Sequence, residues 1–369
     1  MEKDFLNVLA SNQNQYLVPP YVNKTDKEFL IETWKSFNLN DHVFILSSGT
    51  TNSGLFKSYA LSKNSLKNNA CAVNRFLNAK SEDKWLCALP FYHVGGLSIY
   101  VRAMLLNQEV INFHQKWDPS DFIKKCQQNS VQFTSLVPTQ LYDLVQLKWD
   151  CPSSFKGIFI GGDFLNQRLE NEALKLNIPI IKTYGMTELC SQVATGHGLK
   201  IEDNFLKVLD IHKVDIKNQR VYSKSPYTAE ILIKEDQAIE ANFYNESYGF
   251  DLPDKLEFKT IDQDVYLRPL GRKGSEIKIK GRLFNFLEIR DIIEKELYTL
   301  GLYQFCAIKI VDDLRDGNKI KILVHRKVKA KQDEIVSRLS QVLPFHFSFE
   351  NLELVDRLER TELGKLKAD

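Results

Sequence analysis

Long apolar runs, clustered cysteines and a surplus of charge of either sign are all missing from this chain of 369 residues. The most apolar stretch, Val94 to Leu106, is broken by Arg102 and falls short of the roughly 20 residues needed to cross a bilayer, so no membrane span is expected. The opening Met1-Glu2-Lys3-Asp4-Phe5-Leu6 carries an acid at once and has no apolar core, so no secretory signal is expected. Six cysteines (Cys71, Cys87, Cys126, Cys151, Cys190 and Cys306) stand far apart without a C-x-x-C pair. They point away from a zinc site or a disulfide frame and toward a reducing compartment, the cytoplasm by default. Lys and Arg total 49 against 47 for Asp and Glu, a formal charge of +2, and a balance that close announces neither nucleic acid nor an anionic membrane as partner. Internal repeats and low-complexity linkers are lacking too.

What remains is an ordinary globular composition, with 43% hydrophobic and 26% charged residues, enough chain for about two or three structural units. From about 42 to 185, short apolar runs alternate with helix-like segments: Val43–Leu46, Trp85–Leu89, Val110–Phe113, Phe133–Leu136, Gly157–Ile160 and Ile178–Ile181 read as strands. Strands separated by helices imply crossovers and a mainly parallel, helix-flanked sheet, with ligand loops at the carboxyl ends of its strands. Between about 205 and 270 the alternation in Ala229–Ile233 and Leu256–Lys259 suggests an antiparallel β subdomain, with a turn at Asp262-Gln263-Asp264. Beyond Arg272 the order strand, helix, two strands, helix, strand describes a small α+β unit of about a hundred residues. The expected fold class is therefore α/β plus α+β.

Four segments carry residues suited to chemistry. Ser47-Ser48-Gly49-Thr50-Thr51-Asn52-Ser53-Gly54-Leu55-Phe56-Lys57 follows a predicted strand; its glycines, hydroxyls and lysine suit phosphate oxygens. Gly49 and Gly54 have the spacing of a Walker A loop, but Leu55-Phe56 displace the lysine, and the stretch alone reads equally well as a Ser/Gly surface loop. In Leu89-Pro90-Phe91-Tyr92-His93-Val94-Gly95-Gly96-Leu97, His93 is an acid–base candidate or a structural histidine. Gly161-Gly162-Asp163 and Tyr184-Gly185-Met186-Thr187-Glu188 end two successive strands, one bare and one aromatic. Together they suit a planar base beside a metal-bound phosphate; alone they read as two turns with Thr187 or Glu188 opening a helix. Gly271-Arg272 precedes the small unit, and Gly364-Lys365 lies near the chain end, where a lysine is ordinarily frayed.

This ordered set resembles the adenylate-forming superfamily: acyl-CoA synthetases, firefly-type luciferases and peptide-synthetase adenylation domains. The likeness runs from about 42 to 367. Three stretches, Leu89–Leu97, Ser135–Tyr142 and Gly185–Gln192, are similar to the o-succinylbenzoate–CoA ligases of menaquinone synthesis. The resemblance implies an AMP-forming acid–thiol ligase that uses ATP, Mg²⁺ and coenzyme A, with a small carboxylic acid such as o-succinylbenzoate as substrate. By the same resemblance, Ser47, Ser48, Gly49, Thr50, Thr51 and Lys57 hold the β- and γ-phosphates. Glu188 binds the metal and Thr187 the α-phosphate, while Tyr184, Gly185 and the Gly161-Gly162-Asp163 backbone enclose adenine. His93 gates the acyl site, and Lys365 bridges the attacking carboxylate and the α-phosphate. Arg272 reaches the ribose with Asp254, for which Asp251 is the rival. Arg102 is either the receptor for an acidic tail on the substrate or a helix-surface cation. The implied architecture is a nucleotide- and acyl-binding domain over 1–272, with a truncated N-terminal lobe, and a small mobile C-terminal cap over 273–369.

The sequence departs from that pattern in places. Asn52 replaces a usual glycine, the phosphate loop is two residues longer before Lys57, and the Thr-Gly-Asp signature is absent. Gly274 occupies the hinge position, Glu359 replaces a usual proline, and only 46 residues precede Ser47. Two other functions stay open: an adenylating enzyme that loads a carrier-protein thiol, and a nucleotide-binding pseudoenzyme.

Overall fold

The structure is a computed structural model that describes residue 9 and residues 11–47, 55–113, 116–197, 205–234, 237–273, 276–313 and 317–359. The chain divides into two compact units. The first comprises Met1–Asp163, Ala173–Leu252 and Phe258–Arg268; the second comprises Phe164–Glu172, Pro253–Glu257 and Pro269–Asp369.

A nine-stranded sheet runs in the order Asp254–Ile261, Asp264–Arg272, Leu206–Val208, Ser191–His197, Ile180–Met186, Gly157–Ile160, Phe133–Leu136, Trp85–Cys87, Val110–Asn112. The last five are mutually parallel, as the alternation of apolar runs and helices requires, because each return to the same end needs a crossover. Two of the helices of this unit are bounded by residues placed for it. Asp118 accepts hydrogen bonds from the Ser120 and Asp121 amides at 2.9 and 3.0 Å, Pro119 opens the helix Pro119–Asn129, and Ser130 closes it in the left-handed region. Ser62 caps Lys63–Leu77 by accepting from the Ser65 amide at 3.0 Å, and Asn78 ends it at φ 50°.

Val43–Leu46 was expected to open this parallel series, and the structure corrects that. His42–Leu46 belongs to a separate five-stranded sheet ordered Gln15–Leu17, His42–Leu46, Leu55–Ser62, Ala229–Lys234, Gln237–Phe243. Its partner Leu55–Ser62 runs antiparallel to it, with Phe44 opposite Ala60. The apolar run misleads because this strand is buried on both faces, as a parallel-sheet strand usually is. One face packs Val43, Ile45, Tyr59 and Leu61 into the main core; the other packs Phe44, Leu46 and Ala60 under Leu30 and Trp34 of the helix Lys24–Ser36.

The second unit holds a five-stranded sheet: Arg282–Asn285, Glu276–Ile279, Gly317–His325 and Cys306–Asp313 in order, with Leu352–Val355 parallel to Gly317–His325. Its core joins Ile277, Ile279, Ile320, Ile322 and Val324 to Ile289, Ile293 and Leu297 of the helix Phe286–Thr299 and to Ile335 and Leu339 of Gln332–Val342. No helix among the described residues is long and apolar enough to cross a membrane.

Candidate active site

Strand register builds the first half of the site. Leu55–Ser62 pairs antiparallel with Ala229–Lys234, placing Tyr59 directly opposite Glu230 and Lys57 opposite Leu232. Residues two apart share a face of the sheet, so Lys57, Tyr59 and Glu230 converge. The Lys57 ammonium lies 3.0 Å from Glu230 Oε2 and 5.3 Å from the centre of the Tyr59 ring. The Tyr59 hydroxyl lies 2.9 Å from the same Glu230 Oε2 and 2.7 Å from Glu188 Oε1.

Glu188 sits on the 3₁₀ turn Thr187–Leu189, between the antiparallel strands Ile180–Met186 and Ser191–His197. That turn is tight: a Cβ on Gly185 would collide with the Ser191 carbonyl. The Tyr227 amide donates to the Glu188 carbonyl at 2.8 Å, and the Tyr227 ring meets Tyr59 edge-on at 5.7 Å. Burial first, then the two neighbouring carboxylates, drives the Tyr59 phenol far above its ordinary pKa, so it remains a protonated donor. The same causes raise Tyr227.

Ser47 and Lys57 form the neck of the predicted phosphate loop, the Ser47 amide donating to the Lys57 carbonyl at 2.8 Å. Ser48, Gly49, Thr50 and Thr51 lie outside the described residues. Gly161, Gly162 and Asp163 follow Gly157–Ile160, whose neighbour carries Tyr184; the pairing of Ile160 with Lys182 sets Gly161 and Gly162 alongside Thr183 and Tyr184. Thr183 Oγ1 donates to the Ile160 carbonyl at 3.2 Å, and Gly162 takes φ +80°. The bare strand end and the aromatic one are thus adjacent.

The helix Val94–Leu106 organises the other half. His93 precedes it at φ −110°, buried, its ring 5.0 Å from that of Tyr92. Gly96 lets the helix start press onto the preceding loop, since a Cβ there would strike the Pro90 carbonyl. Arg102, on the same helix, is no surface cation: it is 1% exposed. Its guanidinium carbon lies 5.5 Å from the Trp85 ring centre and 5.3 Å from that of Phe159. Among the described residues, its Nε and Nη1 have no hydrogen-bond partner. Burial lowers its pKa from the ordinary arginine value, the mark of a charge held without compensation.

The remaining predicted residues lie elsewhere. Asp254 opens the strand Asp254–Ile261 and groups with the second unit, as does Arg272 at the end of Asp264–Arg272. Asp251 pairs with Arg220 in the three-stranded sheet of His212–Asp215, Arg220–Ser223 and Phe250–Asp251. Lys365 lies outside the described residues.

Tyr59, Glu230, Trp85 and Phe159 escaped the sequence reading. The two-residue spacing of Lys57 and Tyr59 was the available signal for Tyr59. Glu230, 171 positions further on, needed the register.

Adjacent strand ends, one bare and one aromatic, with Glu188 following the aromatic one and joined through Tyr59 to Glu230 and Lys57, suit a nucleotide-using α/β enzyme, and the AMP-binding enzyme family model matches residues 23–234. The chain belongs to that family. It is 26% identical over 337 residues to the 2-succinylbenzoate–CoA ligase of Lactococcus lactis subsp. lactis strain IL1403, covering 89% of this chain and 70% of that protein. It is 30% identical over 318 residues to the enzyme of the same name from Bacillus subtilis strain 168, covering 80% and 62%. Among solved structures, o-succinylbenzoate coenzyme A synthetase of Bacillus subtilis in complex with AMP matches with a TM-score of 0.67 at 21% identity, over 88% of this chain and 67% of that one. That likeness gives the fold.

Proposed function

We propose that this chain is an AMP-forming acid–thiol ligase that joins a carboxylic acid to coenzyme A through an acyl-adenylate, with o-succinylbenzoate as the acid. The relatives that carry that activity in their names support the reaction class. The observation that carries the choice of acid is Arg102: a buried guanidinium with two nitrogens unpartnered among the described residues suits a substrate bearing a second carboxylate.

In this reading the substrate carboxylate attacks the α-phosphate of ATP, releasing pyrophosphate, and the thiol of coenzyme A then displaces AMP. Bringing an anion to a polyanion requires aligned positive charge, so positioning and electrostatics dominate catalysis. Lys57 and the Ser47–Thr51 loop hold phosphates, Thr187 meets the α-phosphate, and Tyr184 with Gly161, Gly162 and Asp163 encloses adenine beside Gly185. His93 borders the acyl group. Glu188 fits Mg²⁺, which commonly takes one or two carboxylates together with substrate phosphates; without the metal its Oε1 accepts from the Tyr59 hydroxyl. Mg²⁺ bound there supplies charge neutralisation between the phosphates.

Residues 1–272 bind nucleotide and acyl group, and 273–369 form a cap that carries Lys365 to the reacting carboxylate, with Asp254 and Arg272 serving the ribose. The scattered free cysteines and the use of ATP and coenzyme A favour the cytoplasm.

The test is pyrophosphate release across a panel of carboxylic acids, with and without coenzyme A. We expect o-succinylbenzoate to lead and its mono-acid analogues to lag. Equal rates for mono- and di-acids would sink the substrate assignment, and acyl transfer only to a phosphopantetheine carrier would sink the choice of thiol. Lys365→Ala should lower adenylation by about 100-fold or more while leaving ATP affinity within about threefold, because its contact forms in the transition state.

A further inference from the structure

A phenol donates one hydrogen bond, yet the Tyr59 oxygen lies within 2.7 Å of Glu188 Oε1 and 2.9 Å of Glu230 Oε2. Whichever carboxylate the proton does not serve faces a lone pair, which repels it. Lys57 resolves the conflict, since its ammonium stands 3.0 Å from that same Glu230 Oε2. In this arrangement the Tyr59 proton serves Glu188, Lys57 serves Glu230, and every charge has a partner. Lys57 is also more accessible than its two direct neighbours, its side chain 35% exposed against 20% for Glu230 and 0% for Tyr59 as a residue. Taking Lys57 away toward a phosphate strips Glu230 of its cation. The only other donor to Glu230 among the described residues is Tyr59, and that donor is committed to Glu188.

We propose that Tyr59 is a positioning residue that couples the two halves of nucleotide binding: when Glu188 is engaged by a divalent cation, the Tyr59 hydroxyl turns to Glu230 and releases Lys57 to the phosphates. This rests on the nucleotide reading above and deepens it. A cation at Glu188 and a phosphate at Lys57 then favour each other, and the coupling is reciprocal. Nothing covalent changes; one O–H rotates between two acceptors.

The test is calorimetric titration of ATP into the full-length protein without any acid substrate, in the presence and absence of Mg²⁺, for wild type, Tyr59→Phe and Glu230→Gln. In wild type, Mg²⁺ tightens ATP binding. Tyr59→Phe should shrink that tightening by about tenfold, the scale of one hydrogen bond to a carboxylate. Glu230→Gln should strengthen ATP binding without Mg²⁺, because Lys57 is no longer held, and should also shrink the tightening. Tyr59→Phe with the full wild-type tightening, or with affinity lowered equally in both conditions as a merely structural tyrosine would give, overturns the inference alone. Should Tyr59→Phe fail to fold, Glu230→Gln with wild-type affinities overturns it. Wild type that binds no ATP in either condition overturns the nucleotide reading as well.

Discussion

Two regions of the first unit handle buried charge in opposite ways. Around Tyr59, the Lys57 ammonium pairs with the Glu230 carboxylate across two strands, and the Tyr59 hydroxyl lies within hydrogen-bond distance of both Glu230 and Glu188. Around Arg102 a single cation sits between the Trp85 and Phe159 rings, with Nε and Nη1 unpartnered among the described residues. On the proposed function, the first region must be rearranged to receive a ligand, whereas the second keeps donor nitrogens unpartnered among the described residues. Cation–π contact returns only about 0.5–2 kcal/mol, well below the cost of burying a lone charge, so the Arg102 site spends stability on readiness. A paired cluster stores selectivity in the exchange of partners instead.

Four substitutions or titrations bear on that contrast. Replacing Arg102 with Met should raise thermal stability while lowering kcat/KM for the di-acid by about 100-fold, since truncating a buried charged contact costs roughly 2–5 kcal/mol. A melting curve and steady-state rates decide it, and a simultaneous loss of stability would mean that the guanidinium is compensated after all. Lys57→Met, in the paired region, should behave oppositely: stability falls, by about 1–3 kcal/mol, because Glu230 loses its cation, and ATP affinity falls too. Chemical denaturation and nucleotide titration would reveal a variant that moves only one of them.

His212 offers a pH test of burial that outweighs its compensation. Its Nε2 donates to the Gln192 carbonyl at 3.1 Å, while among the described residues Nδ1 has no partner. Burial, which outweighs the Gln192 bond and Asp210, pushes its pKa down to about 4. The unfolded chain therefore binds more protons than the folded one between its ordinary value near 6.5 and about 4. Stability is present above that window and is lost as the pH falls through it, by on the order of 3 kcal/mol. His212→Gln should flatten this part of the stability–pH profile, and an unchanged slope would assign the loss to other groups. Smallest of all is the exposed Arg75–Asp210 pair at 2.8 Å, where Arg75→Ala should change stability by no more than about 0.5 kcal/mol on denaturation.

How much of this was legible beforehand depended on the range of the interaction. Phe133–Leu136 and Gly157–Ile160 sit where their apolar runs put them, because a strand's own pattern is local. Leu55–Ser62 was missed: its sequence runs from a Ser/Gly loop straight into a helix, and its strand character comes from His42–Leu46 on one side and Ala229–Lys234 on the other. The Tyr59–Glu230 pairing is likewise a fact of register between segments 171 positions apart. Arg102 was readable in principle. Gly96 through Ala103 are all buried, and a helix apolar on every side leaves its one charge nowhere to be exposed. The roles of Ser47, Lys57, Glu188 and Tyr184 drew on family likeness, since neither period nor propensity speaks to a nucleotide.

The hydrogen bond from the Ser47 amide to the Lys57 carbonyl has a consequence for how such a protein can diverge. It fastens the two strands at the point where the loop leaves them, with Leu46 opposite Ser58 immediately behind. Residues inserted or deleted between those fastened ends leave the register of Tyr59 against Glu230 untouched, and closing a slightly longer loop costs only a few tenths of a kcal/mol. Loop length and charge placement can therefore drift independently, so the loop can change without re-engineering the strand pair beneath it.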